Sequence, residues 1–224
     1  MNQELAERYA RVKASLPGGV KLIAVSKTRT VEEIQALYDL GHRAFGENYP
    51  QELRNKERLL PKDIEWHFIG HLQGNKVKYI APFVHLVHGV DRDRLLDELN
   101  KRALGLGRTI GVLLQVHIAE EDTKHGYHPD ELRALLQAGR PSDRWPSVQV
   151  RGLMGMATLT DDLAQVRREF EGLAALREEL ARTGAVPADD FTELSMGMSG
   201  DLSEALAAGS TMVRIGTAIF GERA

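Results

Sequence analysis

Cysteine is missing from the 224-residue chain. Disulfides, thiolate catalysis and cysteine-based zinc sites are therefore excluded. Neither sign of charge dominates: the formal net charge is −3 and the pI is near 6.3, so nucleic acid and anionic membranes find no electrostatic foothold. Long apolar runs are lacking too, and none approaches the span of a bilayer. The first residues, Met1-Asn2-Gln3-Glu4-Leu5-Ala6-Glu7-Arg8, are acidic and helical in character and hold no apolar leader core. Linkers, repeats and low-complexity segments are also absent. These absences lead to the expectation of a soluble cytoplasmic protein without a nucleic-acid or membrane partner. Its single domain over residues 1–224 has 42% hydrophobic residues to fill a core.

Short β-branched runs alternate with longer helical patterns along the chain. Strands are predicted at 21–25, 43–46, 66–69, 84–88, 110–117, 148–153, 192–195 and 212–215. Between them, Thr30 and Glu33 form a capping box ahead of a helix that Gly41 stops. Asp91 is expected to cap the next strong helix, Asp161 or Asp162 a long one ending at Gly184, and Ser199 the segment from Asp201 to Leu206. Pro129 suits the first turn of another. Gly105-Leu106-Gly107 ends a helix and so is a C-cap, not a dinucleotide fingerprint. The segment 140–147 reads as a surface connection. Eight strand–helix units fit a (β/α)8 barrel of the TIM type with an extra N-terminal helix at 2–16, with the open doubly wound sheet as the alternative.

In such a barrel the residues just after each strand meet at one mouth. The first strand delivers Lys27 there, and a lysine in a partly desolvated pocket can lose its proton and attack a carbonyl to form a Schiff base. The seventh and eighth strands deliver Ser195-Met196-Gly197-Met198-Ser199-Gly200-Asp201 and Arg214-Ile215-Gly216-Thr217. Glycines after these two strands, beside helix starts, are how such barrels build a phosphate site from backbone N–H groups. Ser195, Ser199 and Thr217 can add hydroxyl donors. Arg214, ending an apolar strand, makes sense where an anion or a ring nitrogen meets it. Taken singly, a strand-end lysine or a turn glycine is ordinary; opposite one another they match an aldehyde that carries a phosphate.

The histidines point less clearly. His67 and His71 straddle a strand end, His85 and His88 are expected on opposite faces of one strand, and His125 and His128 flank a turn, so no metal site is expected. No serine sits in a G-x-S-x-G elbow.

The segments Ala24-Val25-Ser26-Lys27-Thr28, Phe45-Gly46-Glu47-Asn48-Tyr49, Trp66 through Lys76, Gly152-Leu153-Met154, Leu194 through Asp201 and Val213-Arg214-Ile215-Gly216-Thr217 together resemble the pyridoxal phosphate homeostasis protein family over nearly the whole chain. The resemblance implies a single-domain barrel related to the N-terminal domain of alanine racemase, with pyridoxal 5′-phosphate (PLP) as cofactor. It implies that Lys27 forms the Schiff base and that Ser195, Gly216 and Thr217, with backbone donors around Met196 and Met198, hold the phosphate. Arg214 would lie against the pyridine nitrogen, with Asn48 and Met154 near the ring. In the loop 119–126, Lys124 is a candidate second attachment site.

A guanidinium at the ring nitrogen keeps the ring unprotonated and weakens the electron sink that PLP catalysis draws on. Eight units also use up the chain, leaving no second domain to carry the opposite base of a two-base racemase; of Tyr38, Tyr49, Tyr79 and Tyr127, only Tyr49 lies in a rim segment. The expectation is therefore a monomeric protein without catalytic turnover. It would buffer PLP, deliver it to apo PLP-dependent enzymes, and so serve vitamin B6 and amino-acid homeostasis. A PLP-dependent amino-acid racemase is the first alternative, and a Schiff-base aldolase or sugar-phosphate isomerase on the same fold is the second.

Overall fold

A computed structural model describes residues 2–120 and 125–222. Its eight strands are β1 (Lys21–Val25), β2 (Ala44–Glu47), β3 (Glu65–Phe68), β4 (Leu86–Val90), β5 (Ile110–Gln115), β6 (Val148–Met154), β7 (Glu193–Ser195) and β8 (Met212–Ile215). They close in chain order into a parallel barrel, with β8 pairing back onto β1 through Lys21↔Met212 and Ala24↔Ile215. The α/β barrel expected from the alternating pattern is the observed fold. The helices are α1 (Asn2–Ala14), α2 (Val31–Asp39), α3 (Pro50–Leu59), α4 (Val77–Ile80), α5 (Asp93–Gly105), α6 (Pro129–Gln137), α7 (Pro141–Arg144), α8 (Leu163–Ala181), α9 (Leu202–Ala207) and α10 (Thr217–Phe220). A 3-10 turn, Gly74–Lys76, precedes α4. None of the described helices is long and apolar enough to cross a membrane.

The core has two parts. A large layer between strands and helices takes one face of each strand and the apolar stripes of the helices, such as Leu95, Leu96 and Leu99 of α5 and Val166, Phe170 and Leu173 of α8. A small cluster of Leu86, Leu113, Met154 and Met212 fills the lumen. β6 reaches it through a kink at Gly152, whose φ of 152° and crowding by Glu193 (1.9 Å from carbonyl oxygen to an added Cβ) admit no side chain. The register with β5 slips beside it, between Val112 and Leu113.

Helix starts follow local chemistry in part. Thr30 and Glu33 make the expected capping box, and Asp162 caps α8 through the amides of Ala164 and Gln165. Two expected caps differ. Arg92, not Asp91, is the N-cap of α5, because the Asp91 carboxylate is drawn sideways to Arg92 and to His71 at 3.1 Å. Asp201, not Ser199, is the N-cap of α9, and its carboxylate accepts the Met198 amide at 2.5 Å.

The segment 140–147 is more than a surface connection. Pro141 starts the short α7, and Trp145 is 2% exposed, donating its indole N–H to Asp97 at 2.8 Å. The β4 strand begins two residues later than its apolar run implied, and His85 and His88 do not point apart. Both rings lie against His67, with centroids 5.3 and 5.2 Å away, because His85 stands ahead of the strand and escapes its alternation.

Candidate functional site

At the end of β1 the chain turns through Ser26-Lys27-Thr28, and Thr28 has φ 64°, the one positive φ among the described non-glycine residues. A β-branched side chain resists that conformation, so the surroundings must impose it. They do so through α3. Lys56 donates its ammonium to the Ser26 carbonyl at 2.8 Å, and Glu52 accepts the Thr28 amide at 2.7 Å. Both peptide groups flanking Lys27 are thereby tied down.

Lys56 is buried, and it also pairs with Glu47 at 2.7 Å and Glu52 at 2.6 Å. Glu47, wholly buried at the end of β2, takes a further hydrogen bond from the Ser26 hydroxyl at 2.6 Å. Burial pushes the Glu47 carboxyl up, and the Lys56 charge works against that rise.

Lys27 opens onto a cavity of about 280 Å³. Met198, Ser199 and Gly200 of the loop after β7 line it, as do Arg214, Gly216 and Thr217 from the end of β8, with Val25 and Arg29 beneath. The volume is close to the lower end of small-ligand pockets, ~300 Å³. Gly216 lets the chain pass Val25, whose Cβ would lie 3.3 Å from an added methyl. The amides of Thr217 and Ala218 open α10 and have no intrahelical acceptor.

Arg214 is 5% exposed and, among the described residues, donates to neutral acceptors, the Ser195 hydroxyl at 2.6 Å and the Gly155 carbonyl at 3.2 Å. Burial lowers its pKa to about 10, with Asp201 nearby opposing the drop. Asn48, the residue after β2, does not line this cavity; its buried side-chain oxygen has no hydrogen-bond partner among the described residues. An under-compensated cation and a lysine around one cavity, with the backbone donors of Gly216 and Thr217, form a set suited to a small anionic ligand.

Six of the residues picked out by sequence line this cavity: Lys27, Met198, Ser199, Arg214, Gly216 and Thr217. Three others lie beneath it. The Ser195 side chain is fully buried, its hydroxyl held between Arg214 and, at 2.8 Å, His88 Nδ1, so it is not open to a phosphate. Met196 is fully buried and gives its amide to the Met212 carbonyl at 3.2 Å. Met154, 1% exposed, belongs to the lumen cluster. Lys124 lies outside the described residues.

Ser199 and Gly200 occupy the position expected of Ser195, and the MGMSGD turn carried that signal. The clamp of Glu47, Glu52 and Lys56 had no signal beyond the FGENY segment, since it joins β2 to a helix face.

The histidines converge more than their spacing implied. Ligand atoms of Glu65, His67 and His85 fall within 4.8 Å of one another, as do those of His71, Asp91 and His125. Each carboxylate already carries a cation: Lys21 sits 2.7 Å from Glu65, and Arg92 on Asp91. A larger hollow of about 680 Å³ outside α5 has its carboxylates paired, Asp97 with Trp145 and Glu98 with Arg102.

The family model for the N-terminal domain of alanine racemase matches residues 2–224. The pyridoxal phosphate homeostasis protein of Pasteurella multocida is 42% identical over 220 residues, 96% of this chain and 92% of that protein. The human protein of the same name is 38% identical, covering 100% of this chain and 84% of its own length. Among solved structures, PipY of Synechococcus elongatus with PLP bound superposes with a TM-score of 0.87 at 37% identity, over 97% of this chain and 100% of that one. Alanine racemase of Bartonella henselae shares the fold, with a TM-score of 0.71 at 14% identity over 98% of this chain and 60% of its own.

Proposed function

The chain belongs to the family of pyridoxal phosphate homeostasis proteins, and from that premise we propose that it holds PLP in the cavity beside Lys27 as a carrier. The fit rests on this chain's own groups: Lys27, Arg214, Ser199, Gly216 and Thr217 line one cavity. Lys27, presented by the clamped turn, is the amine that would hold the cofactor through its aldehyde, with water as the leaving group. The Thr217 and Ala218 amides, the Ser199 hydroxyl and Gly200 offer donors for the ester dianion. Arg214 would lie against the ring nitrogen and would keep it unprotonated, because a guanidinium does not give up its proton there. When bound, the cofactor supplies an electron sink, and Arg214 mutes it.

The relatives' name, homeostasis protein, agrees with a role in buffering PLP and passing it to apo enzymes. In this reading the protein is a cytoplasmic, single-domain monomer without turnover. The observation that carries the proposal is the shared cavity of Lys27 and Arg214.

Purified protein given PLP is expected to show a Schiff-base absorption band that Lys27→Ala abolishes, and to reactivate an apo PLP-dependent enzyme. Absence of the band in the wild type after added PLP would refute the proposal. Exchange of the Cα deuterium of alanine or serine at a useful rate would replace it with the racemase reading.

A further inference from the structure

Below the cavity, a line of polar side chains crosses the apolar lumen. Arg214 Nη1 lies 2.6 Å from Ser195 Oγ, which lies 2.8 Å from His88 Nδ1. His88 Nε2 is 2.9 Å from His67 Nδ1. His67 Nε2 has no partner at hydrogen-bond distance, and its nearest carboxylate is Glu65 at 3.9 Å. Glu65 is held by Lys21 at 2.7 Å at the opposite end of the barrel. The inner members come from β8, β7, β4 and β3, and none is more than 5% exposed.

Hydrogen-bond chemistry decides which way this line runs. A guanidinium only donates, so Ser195 Oγ accepts from Arg214. If His88 carried its proton on Nδ1, it would also donate to Ser195, and the serine's hydrogen would have no acceptor. His67 would then carry its proton on Nδ1 and turn a bare Nε2 lone pair toward the Glu65 carboxylate.

In the opposite arrangement Ser195 donates to His88 Nδ1, and His88 Nε2–H donates to His67 Nδ1. His67 Nε2–H then points at Glu65. Every inner donor has an acceptor at hydrogen-bond distance. The last N–H faces the Glu65 carboxylate 3.9 Å away, where a bare lone pair would be repelled, and the chain begins at a cation and ends toward an anion. Both imidazoles are neutral at ordinary pH: burial lowers His67 to about 4 and His88 well below its usual value.

We propose that Ser195, His88 and His67 form a one-way donor chain through the barrel that positions Arg214 against the ligand from below. Ser195 is thereby a positioning residue for Arg214 and not a phosphate ligand. The structural part stands alone, whereas its effect on PLP rests on the reading that Arg214 faces the cofactor ring.

The tautomers are read directly by nitrogen-15 NMR of the ring nitrogens in the protein without added PLP. Both His67 and His88 are expected to be protonated on Nε2 with a bare Nδ1. Protonation of His88 on Nδ1, or an imidazolium at neutral pH, overturns the proposal.

The effect on the ligand is read from PLP release by the loaded protein. Ser195→Ala and His88→Leu are expected to release PLP about tenfold faster than wild type, the loss of one well-made hydrogen bond. His88→Asn, which keeps an acceptor oxygen near the Nδ1 position, is expected to stay close to wild type. Release from Ser195→Ala at the wild-type rate, or from His88→Asn as fast as from His88→Leu, overturns the positioning role. A wild type that takes up no PLP instead refutes the carrier reading and leaves the NMR result to judge the chain.

Discussion

Lys56→Met separates the two duties of the clamp on Lys27. Lys56 is the cation that pairs with Glu47, a carboxylate with no solvent exposure and one oxygen already without a partner. Removing one member of a buried pair leaves the other charge uncompensated, at a cost of about 3–5 kcal/mol. For a domain of this size that amounts to a fall in Tm of roughly 6–20 °C.

Lys56→Met with Glu47→Leu removes both charges and is expected to recover most of that stability. It does not recover the anchor on the Ser26 carbonyl. The Thr28 conformation stores ~1–3 kcal/mol of strain, which the double variant relaxes in the free protein and must supply again when Lys27 is presented to an aldehyde. PLP affinity is therefore expected to drop about 5- to 150-fold while the fold stays intact. Urea unfolding measures the first effect, and an absorbance titration with PLP measures the second. A Lys56→Met protein within ~1 kcal/mol of wild type, or a double variant of wild-type affinity, refutes the reasoning.

Gly152→Ala puts a methyl 1.9 Å from the Glu193 carbonyl oxygen at a φ of 152°, so β6 must shift against β7. Destabilisation of at least ~3 kcal/mol is expected in urea, and an unchanged midpoint would mean that the kink is dispensable. Stability should also fall as pH drops from about 6.5 to 4. His67 and His42 are buried and stay neutral down to about 4, whereas the unfolded imidazoles take up protons below 6.5, so the unfolded state binds more protons in that window. Each contributes up to roughly 3 kcal/mol of loss by the lower end. Glu47, whose carboxyl burial pushes up, works in the opposite sense and blunts the decline. Urea midpoints at pH 7, 5.5 and 4.5 check the sign, and a rise on acidification would contradict it.

The strands were legible because most are short apolar runs, β-branched or aromatic, bounded by turn residues, and a parallel sheet buries both faces of such a run. Lys27, Gly216 and Thr217 were legible for a related reason: in a barrel, position after a strand is position at the mouth. The same rule misplaced Ser195. It ends β7, as the run 192–195 implied, but its side chain is buried in the lumen, and the MGMSGD turn reaches the cavity through Ser199 and Gly200. The strand's end was read at the right residue; which face its last side chain takes was not, because alternation within so short a strand leaves that open.

Lys56 escaped notice because a lysine in a helix of low hydrophobicity normally faces water. Only the close approach of α3 to the β1–α2 turn buries it. His67 and His88 escaped because their partnership crosses two strands and depends on ring directions that spacing does not encode.

These omissions share a cause. Local sequence records what each residue prefers, and a charge or imidazole held inside the barrel defies its preference because partners distant in sequence compensate it. The distant partners here are the Ser26 carbonyl for Lys56, beside its nearer carboxylates Glu47 and Glu52, and the Ser195–His88–His67 line for Arg214. A buried cation with such long-range support is therefore the feature of this fold to search for when a neighbouring cavity needs a fixed charge.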